Sequence, residues 1–174
     1  MQPELFTIRR TGPGVLSTMA RPHGGQRLQA GMNGLAEAGV GVLVSLLSEA
    51  EMDELGLASE AEAARASGIA FYHLPTQDRT VPDHAAGLEL AETLRSLLAL
   101  GAGVAIHCRY GIGRSSTLAA MVLVLEGTKP EQAWALISAA RGTTVPDTVA
   151  QREAIASLAT LSPREPKGCG AASS

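Results

Sequence analysis

Residues 107 to 115 read His107-Cys108-Arg109-Tyr110-Gly111-Ile112-Gly113-Arg114-Ser115, which places a thiol, two glycines and a guanidinium within one short segment. A cysteine attacks electrophiles as its thiolate. An arginine grips two oxygens of one phosphate with its planar fork, which a lysine cannot do. Together they suit the transfer of a phosphoryl group to sulfur. The flanking residues supply the geometry. Gly103-Val104-Ala105-Ile106 reads as a strand ending at Ile106, and Ser115 through Leu125 has the length and apolar content of a buried helix. The loop between them therefore opens at a helix N-terminus, where backbone N–H groups lack intrahelical partners and the helix dipole is positive. An anion, phosphate above all, is the expected guest of the amides from Arg109, Tyr110, Gly111, Ile112, Gly113 and Arg114. Gly111 and Gly113 let the backbone take positive φ and approach a ligand closely. In that field the thiolate of Cys108 is favoured. His107 is expected to hydrogen-bond the loop backbone and hold the surroundings of the cysteine, without accepting its proton.

The segment resembles the phosphate-binding loop of the cysteine-based protein tyrosine phosphatase superfamily, His-Cys, x-x-Gly-x-x, Arg-Ser/Thr, and agrees with it at every fixed position. With 107 residues ahead of Cys108 the chain is unlike the low-molecular-weight branch, whose nucleophile lies near the N-terminus. At 174 residues it is also far shorter than the tyrosine-specific domains, so the resemblance is to the compact, dual-specificity-like (atypical) branch. That resemblance implies hydrolysis through a phosphocysteine intermediate, with neither metal nor cofactor. By the same comparison the Ser115 hydroxyl hydrogen-bonds the Cys108 sulfur and eases its departure from that intermediate, although the hydroxyl also suits the first turn of the helix. Gln151 falls where compact members carry a glutamine that positions the hydrolytic water; a solvated helix glutamine is the other reading. Arg109 either adds charge beside the phosphate, in favour of a polyanionic substrate, or points outward into solvent.

Ester cleavage needs a proton for the leaving oxygen, and the chain has four aspartates to give it: Asp53, Asp78, Asp83 and Asp147. Asp78 follows the strand-like Ile69-Ala70-Phe71-Tyr72-His73-Leu74, beyond a strand's carboxyl end, where open α/β sheets place their ligands. Its place four residues before Pro82 resembles the family's general-acid loop, and the resemblance assigns the acid to Asp78. Asp83, just after Pro82, reads as the N-cap of the helix that follows.

The elements that must position these groups alternate. Apolar stretches ending near Met19, Leu47, Leu74 and Ile106 read as strands, interleaved with helical patterns at 26–38, 49–67, 83–100, 114–126, 130–140 and 147–160. The expected fold is α/β, a mostly parallel central sheet of about four to five strands flanked by helices in three layers. Val40 through Leu47 is a near-continuous apolar run, as a central strand covered on both faces requires. Residues 1–161 are read as one catalytic domain and 162–174, which carry Cys169, as a flexible tail. The acidic stretch Glu49-Ala50-Glu51-Met52-Asp53-Glu54 and the Ala/Glu run from 58 to 67 read as solvated helix faces. Arg21, His23 and Arg27 could supply basic residues at a rim.

A net charge of −3 and a pI near 5.8 give no general attraction to nucleic acid or to anionic membranes. Two cysteines far apart do not make a disulfide framework, and His23, His73, His84 and His107 lack metal-ligand spacing. The start lacks a basic, then apolar leader, so a cytoplasmic protein is expected. The reading as a whole is a phosphoprotein or small-phosphoester hydrolase of the protein tyrosine or dual-specificity kind. The alternatives are a phosphoinositide or inositol phosphate phosphatase of the same chemistry, and a catalytically silent phosphate-binding module.

Overall fold

Each apolar run becomes a strand of one sheet in the computed structural model, which describes residues 4–161. The strands are β1 (Phe6–Ile8), β2 (Val15–Ala20), β3 (Val42–Ser45), β4 (Ala70–His73) and β5 (Gly103–Cys108), side by side in the order β1-β2-β5-β3-β4. β2, β5, β3 and β4 are mutually parallel, and β1 runs antiparallel along β2. Parallel neighbours need helical crossovers. One face is covered by α1 (Leu28–Glu37), α2 (Glu49–Glu54) and α3 (Glu60–Ala66), the other by α4 (His84–Ala99), α5 (Arg114–Leu125), α6 (Pro130–Arg141) and α7 (Val149–Leu161). The expected three-layer α/β architecture is present.

Side-chain alternation along the strands divides the core in two. Val104 and Ile106 of β5 pack with Leu94, Leu118, Val122, Ile137 and Ile155 on the α4–α7 side, while Ala105 packs with Leu28, Met32, Leu35 and Leu57 on the other. The same alternation sends His107 and Cys108 to opposite faces of the sheet. α5 is buried from Arg114 through Leu123, consistent with its all-round apolar sequence.

Three details differ from expectation. β5 continues to Cys108, pairing Cys108 with Ala20 of β2 and His107 with Ser45 of β3, so the cysteine is anchored in the sheet itself. The helix expected over 49–67 is two helices. Gly56, at φ +67°, ends the first, and its carbonyl accepts a hydrogen bond from the Gly25 amide at 2.9 Å. The third is β1, three residues held by β2 and too short to show periodicity. The tail 162–174 and Cys169 lie outside the described residues.

Candidate active site

The segments that carry Cys108, Arg114 and Asp78 leave the carboxyl ends of parallel strands. The loop 109–113 follows β5, the Asp78 loop follows β4, and α2 follows β3. Cys108 is 3% exposed, and its sulfur lies 3.4 Å from the Ser115 hydroxyl. Gly113 is the N-cap of α5 and offers no side chain, and among the described residues no side-chain cap hydrogen bond is made at that helix start. Gly111 has φ +70°, and a Cβ there would stand 2.5 Å from the Met19 carbonyl oxygen. Only glycine meets both conditions, and the loop thereby packs against the end of β2.

Arg114 is 1% exposed and almost fully engaged by the protein. Nη1 donates to Glu51 Oε2 at 2.6 Å and to the Thr76 carbonyl at 2.9 Å. Nη2 donates to Glu51 Oε1 at 2.9 Å and lies 3.1 Å from Asp78 Oδ1. Nε has no partner among the described residues. A buried guanidinium without counter-charges would be costly, and the fork-to-fork pair with Glu51 offsets that cost while fixing the plane of the group. Burial pushes the Glu51 carboxyl up, but hydrogen bonds from Arg114 and from the Ser48 backbone, with the Arg114 charge, outweigh it and hold it down at about 2. Burial likewise opposes the charge on Arg114, and the Glu51 hydrogen bonds together with the charges of Cys108, Glu51 and Asp78 raise its proton affinity above the ordinary value.

Glu51 was expected on a solvated face and instead has a side chain only 12% exposed. Ser48-Glu49-Ala50-Glu51 is a capping box, the Ser48 hydroxyl accepting from the Glu51 amide while the Glu51 carboxylate accepts from the Ser48 amide. This sequence signature locates the carboxylate at a helix start but not its partner. Glu60 is a second departure from the solvated-face reading. It is fully buried, and its Oε1 lies 2.9 Å from His107 Nε2, a close contact without hydrogen-bond alignment. His107 Nδ1 lies 3.4 Å from the Cys108 carbonyl.

Asp78 is more than half exposed, at the mouth, its carboxylate directed at Arg114. Asp83 accepts from the Ala86 amide at 2.9 Å as the N-cap of α4. Gln151 is fully buried, so it is not a solvated helix residue. Its Nε2 donates to the Thr80 carbonyl at 2.9 Å, and its Oε1 accepts from the Thr148 amide, tying α7 to the Asp78 loop. Asp147 was passed over on position alone; its carboxylate occupies the space that a Cβ on Gly113 would need.

On the outer flank of the loop, Arg109 turns away from the sulfur and pairs with Glu54 at 2.7 Å, while Tyr110 is 63% exposed. The Arg109 hydrogen bond and charge lower the Glu54 carboxyl. Arg141, at the end of α6, donates from Nε to the Gly111 carbonyl at 2.9 Å and from Nη2 to the Tyr110 carbonyl at 2.7 Å. Its guanidinium also covers the Phe6 ring. With those two carbonyls drawn outward, the amides of the loop are left for an anion.

Comparison with known proteins matches this geometry to a family. A structure of kinase associated phosphatase (KAP), with its catalytic-site cysteine substituted by serine, is similar at a TM-score of 0.81 and 22% identity, over 89% of this chain and 93% of that one. Tk-PTP in its active form gives 0.70 at 22% identity, over 88% and 96%. PTPMT1 in complex with PI(5)P gives 0.71 at 21% identity, over 84% and 90%. These likenesses establish the protein tyrosine phosphatase-like fold. No curated protein sequence matches the chain. The family model for the DSP-PTPase phosphatase of polymorphic toxin systems matches residues 17–128, more than half of the chain, and that span runs from within β2 to just beyond α5 and includes Glu51, Asp78, Cys108 and Arg114. The chain therefore belongs to the polymorphic toxin system DSP-PTPase phosphatase family.

Proposed function

We propose that the protein hydrolyses phosphomonoesters without a metal, in two steps through a phosphocysteine on Cys108, in the manner of a protein tyrosine or dual-specificity phosphatase. The observation that carries this reading is the N-terminus of α5, without a side-chain cap among the described residues, in front of the Cys108–Ser115 contact, with a buried Arg114 whose Nε has no partner among those residues. A phosphate dianion entering the loop takes the free amides and Nε–H, and competes with Asp78 for Nη2. The Cys108 thiolate then attacks phosphorus in line, the P–O bond to the leaving group breaks, and Asp78 gives that oxygen its proton. In the second step Asp78, now a carboxylate, takes a proton from water as the water attacks phosphorus and the P–S bond breaks. Ser115 donates a hydrogen bond to the departing thiolate, and phosphate is released. Gln151 acts here through Thr80, holding the acid loop in register.

Phosphate release from an aryl phosphate with chelator present, by wild-type protein and by Cys108→Ser side by side, tests the reading. Turnover that resists chelator and is lost in the variant is the expected result. Absence of turnover in both proteins, with phosphate-ester binding retained, would establish a silent binding module. A panel of phosphotyrosine peptides, phosphoserine/threonine peptides and phosphoinositides then ranks the leaving groups.

A further inference from the structure

Beside the loop lies a groove of about 710 Å³ that none of Cys108, Arg114, Ser115 and Asp78 lines. Its floor and walls are apolar, built chiefly by Phe6, Met19, Pro22 and Ala30. Its charged residues are Arg21, Arg27, Arg109 and Arg141 against the single carboxylate of Glu4, with His23 alongside. Four guanidiniums around one groove, in a chain whose net charge is −3, are a local reversal of sign. Arg109 is paired with Glu54, and Arg141 is engaged with loop carbonyls. Arg27 is exposed and forms no ion pair among the described residues. The size falls in the range of small-molecule sites, which are mostly apolar with a few convergent polar groups.

The groove is contiguous with the phosphate site. Ala20, which lines it, is the register partner of Cys108 on the next strand, a spacing of roughly 4.8 Å between strands. The exposed ring of Tyr110 stands on the loop between the two and offers a face for stacking. We propose that this groove is the specificity site of the enzyme, and that it takes the body of a small substrate carrying two phosphates and a flat, largely apolar ring system. One phosphate enters the loop for cleavage, the ring lies against Tyr110, Met19 and Pro22, and the second phosphate meets Arg27 and Arg21. A fully polar polyol would leave the apolar walls unused, and an apolar monoester would leave Arg27 unpaired. The substrate class rests on the hydrolase reading above; the groove as a binding site does not.

Adenosine 3′,5′-bisphosphate is a suitable probe, compared with the adenosine 3′- and 5′-monophosphates and with 4-nitrophenyl phosphate as a reference that fills only the loop. Two variants interrogate the groove. Arg27→Ala removes a cation that has no ion-pair partner among the described residues. Gly31→Leu blocks the space from α1, where a Cβ on Gly31 would meet nothing within 4 Å, so the fold has room for it. The expected result is a kcat/KM for the bisphosphate at least about tenfold above either monophosphate, the factor that corresponds to ~1.4 kcal/mol. Both variants bring it to the monophosphate level while 4-nitrophenyl phosphate turnover stays unchanged. No preference in an enzyme active on 4-nitrophenyl phosphate overturns the proposal. So does a preference that survives both variants, or a groove-dependent preference for doubly phosphorylated peptides or for PI(5)P vesicles. If the wild type turns over no ester, the hydrolase reading fails on its own. Calorimetric binding of the bisphosphate to Cys108→Ser, with and without Gly31→Leu, then decides the groove separately.

Discussion

The two flanks of the phosphate loop are built on opposite terms. On the inner flank the polar groups are largely matched: Arg114 is buried and held by both oxygens of Glu51, by the Thr76 carbonyl and by Asp78, with its Nε alone left without a partner among the described residues, and Cys108 touches Ser115. On the outer flank the charges stand at the surface. Tyr110 is 63% exposed, Arg109 leans on Glu54, and Arg27 has no ion-pair partner among the described residues. Chemistry at phosphorus needs groups fixed before the substrate arrives, because reorganising them would add to the barrier. Recognition of the rest of the substrate needs groups still free to be satisfied. On the proposed reading the inner flank answers to the first demand and the outer flank to the second.

The largest effect expected is at Asp78, whose carboxylate is more than half exposed and faces Arg114. Asp78→Ala removes the proposed proton source, and general acid catalysis contributes about 10²- to 10⁴-fold, so kcat for a phenyl or alkyl phosphate should fall within that range. A dinitrophenyl phosphate, whose leaving group needs no proton, should lose no more than about tenfold. Asp83→Ala sharpens the contrast. It removes the N-cap of α4, which typically costs ~1 kcal/mol of stability, and leaves the leaving-group dependence intact. Asp147, against Gly113, is the rival carboxylate. If Asp147→Ala splits good from poor leaving groups and Asp78→Ala does not, the acid has been misassigned.

Next in size is the pair that fixes Arg114. Breaking one partner of a buried pair costs about 3–5 kcal/mol, and Glu51→Gln belongs at the low end because the Glu51 side chain keeps 12% exposure. The sign of the pH dependence follows from the carboxyl being held at about 2 rather than its ordinary 4.5. In the unfolded chain the group binds its proton first on acidification. The pair's contribution is therefore complete above pH 4.5 and is lost as pH falls toward 2. Urea unfolding of the wild type at a series of pH values across that window should show stability falling with pH, and Glu51→Gln should flatten that fall. Parallel profiles for the two proteins would mean that the carboxylate is not coupled to folding as the geometry requires.

What could be read in the sequence, and what could not, follows the same division by distance along the chain. The loop from His107 to Ser115, the N-cap Asp83 and the order of strands and helices are local patterns, set by residues a few positions apart. Glu51 meets Arg114 across 63 positions, and Arg141 meets Gly111 across 30. Glu60 meets His107 only because strand alternation turns the imidazole toward α3. No local signal marks which of several glutamates in an alanine-rich stretch is buried, since glutamate is seldom buried without a partner and the partner is remote. The Ser48–Glu51 capping box was present in the sequence, but its second role depends on α2 facing the first residue of α5, Arg114. β1 was missed for a related reason. Three residues carry no periodicity, and that strand exists through its pairing with β2.

The smallest effect, and the one that tests the division itself, belongs to Arg141, which stands on the outer flank yet acts on the loop. Its two hydrogen bonds hold the Tyr110 and Gly111 carbonyls away from the phosphate site, but Tyr110 is exposed, so water can replace part of what Arg141→Ala removes. Net hydrogen bonds to a charged group contribute about 1.5–3 kcal/mol, and rehydration brings the expected loss toward the lower figure, roughly tenfold in affinity for inorganic phosphate as a competitive inhibitor. Because the hydrogen bonds act on the loop amides before and during reaction alike, kcat/KM for an aryl phosphate should fall by a similar factor, with the inhibition constant following it. Arg27→Ala, on the same flank but without contact to the loop carbonyls, should leave both unchanged. An Arg141→Ala protein whose phosphate affinity matches the wild type would show that the loop keeps its amides inward unaided, through the Gly111 turn and the α5 N-terminus. Arg141 would then belong to the groove alone, and the line between the two flanks would run along the loop itself.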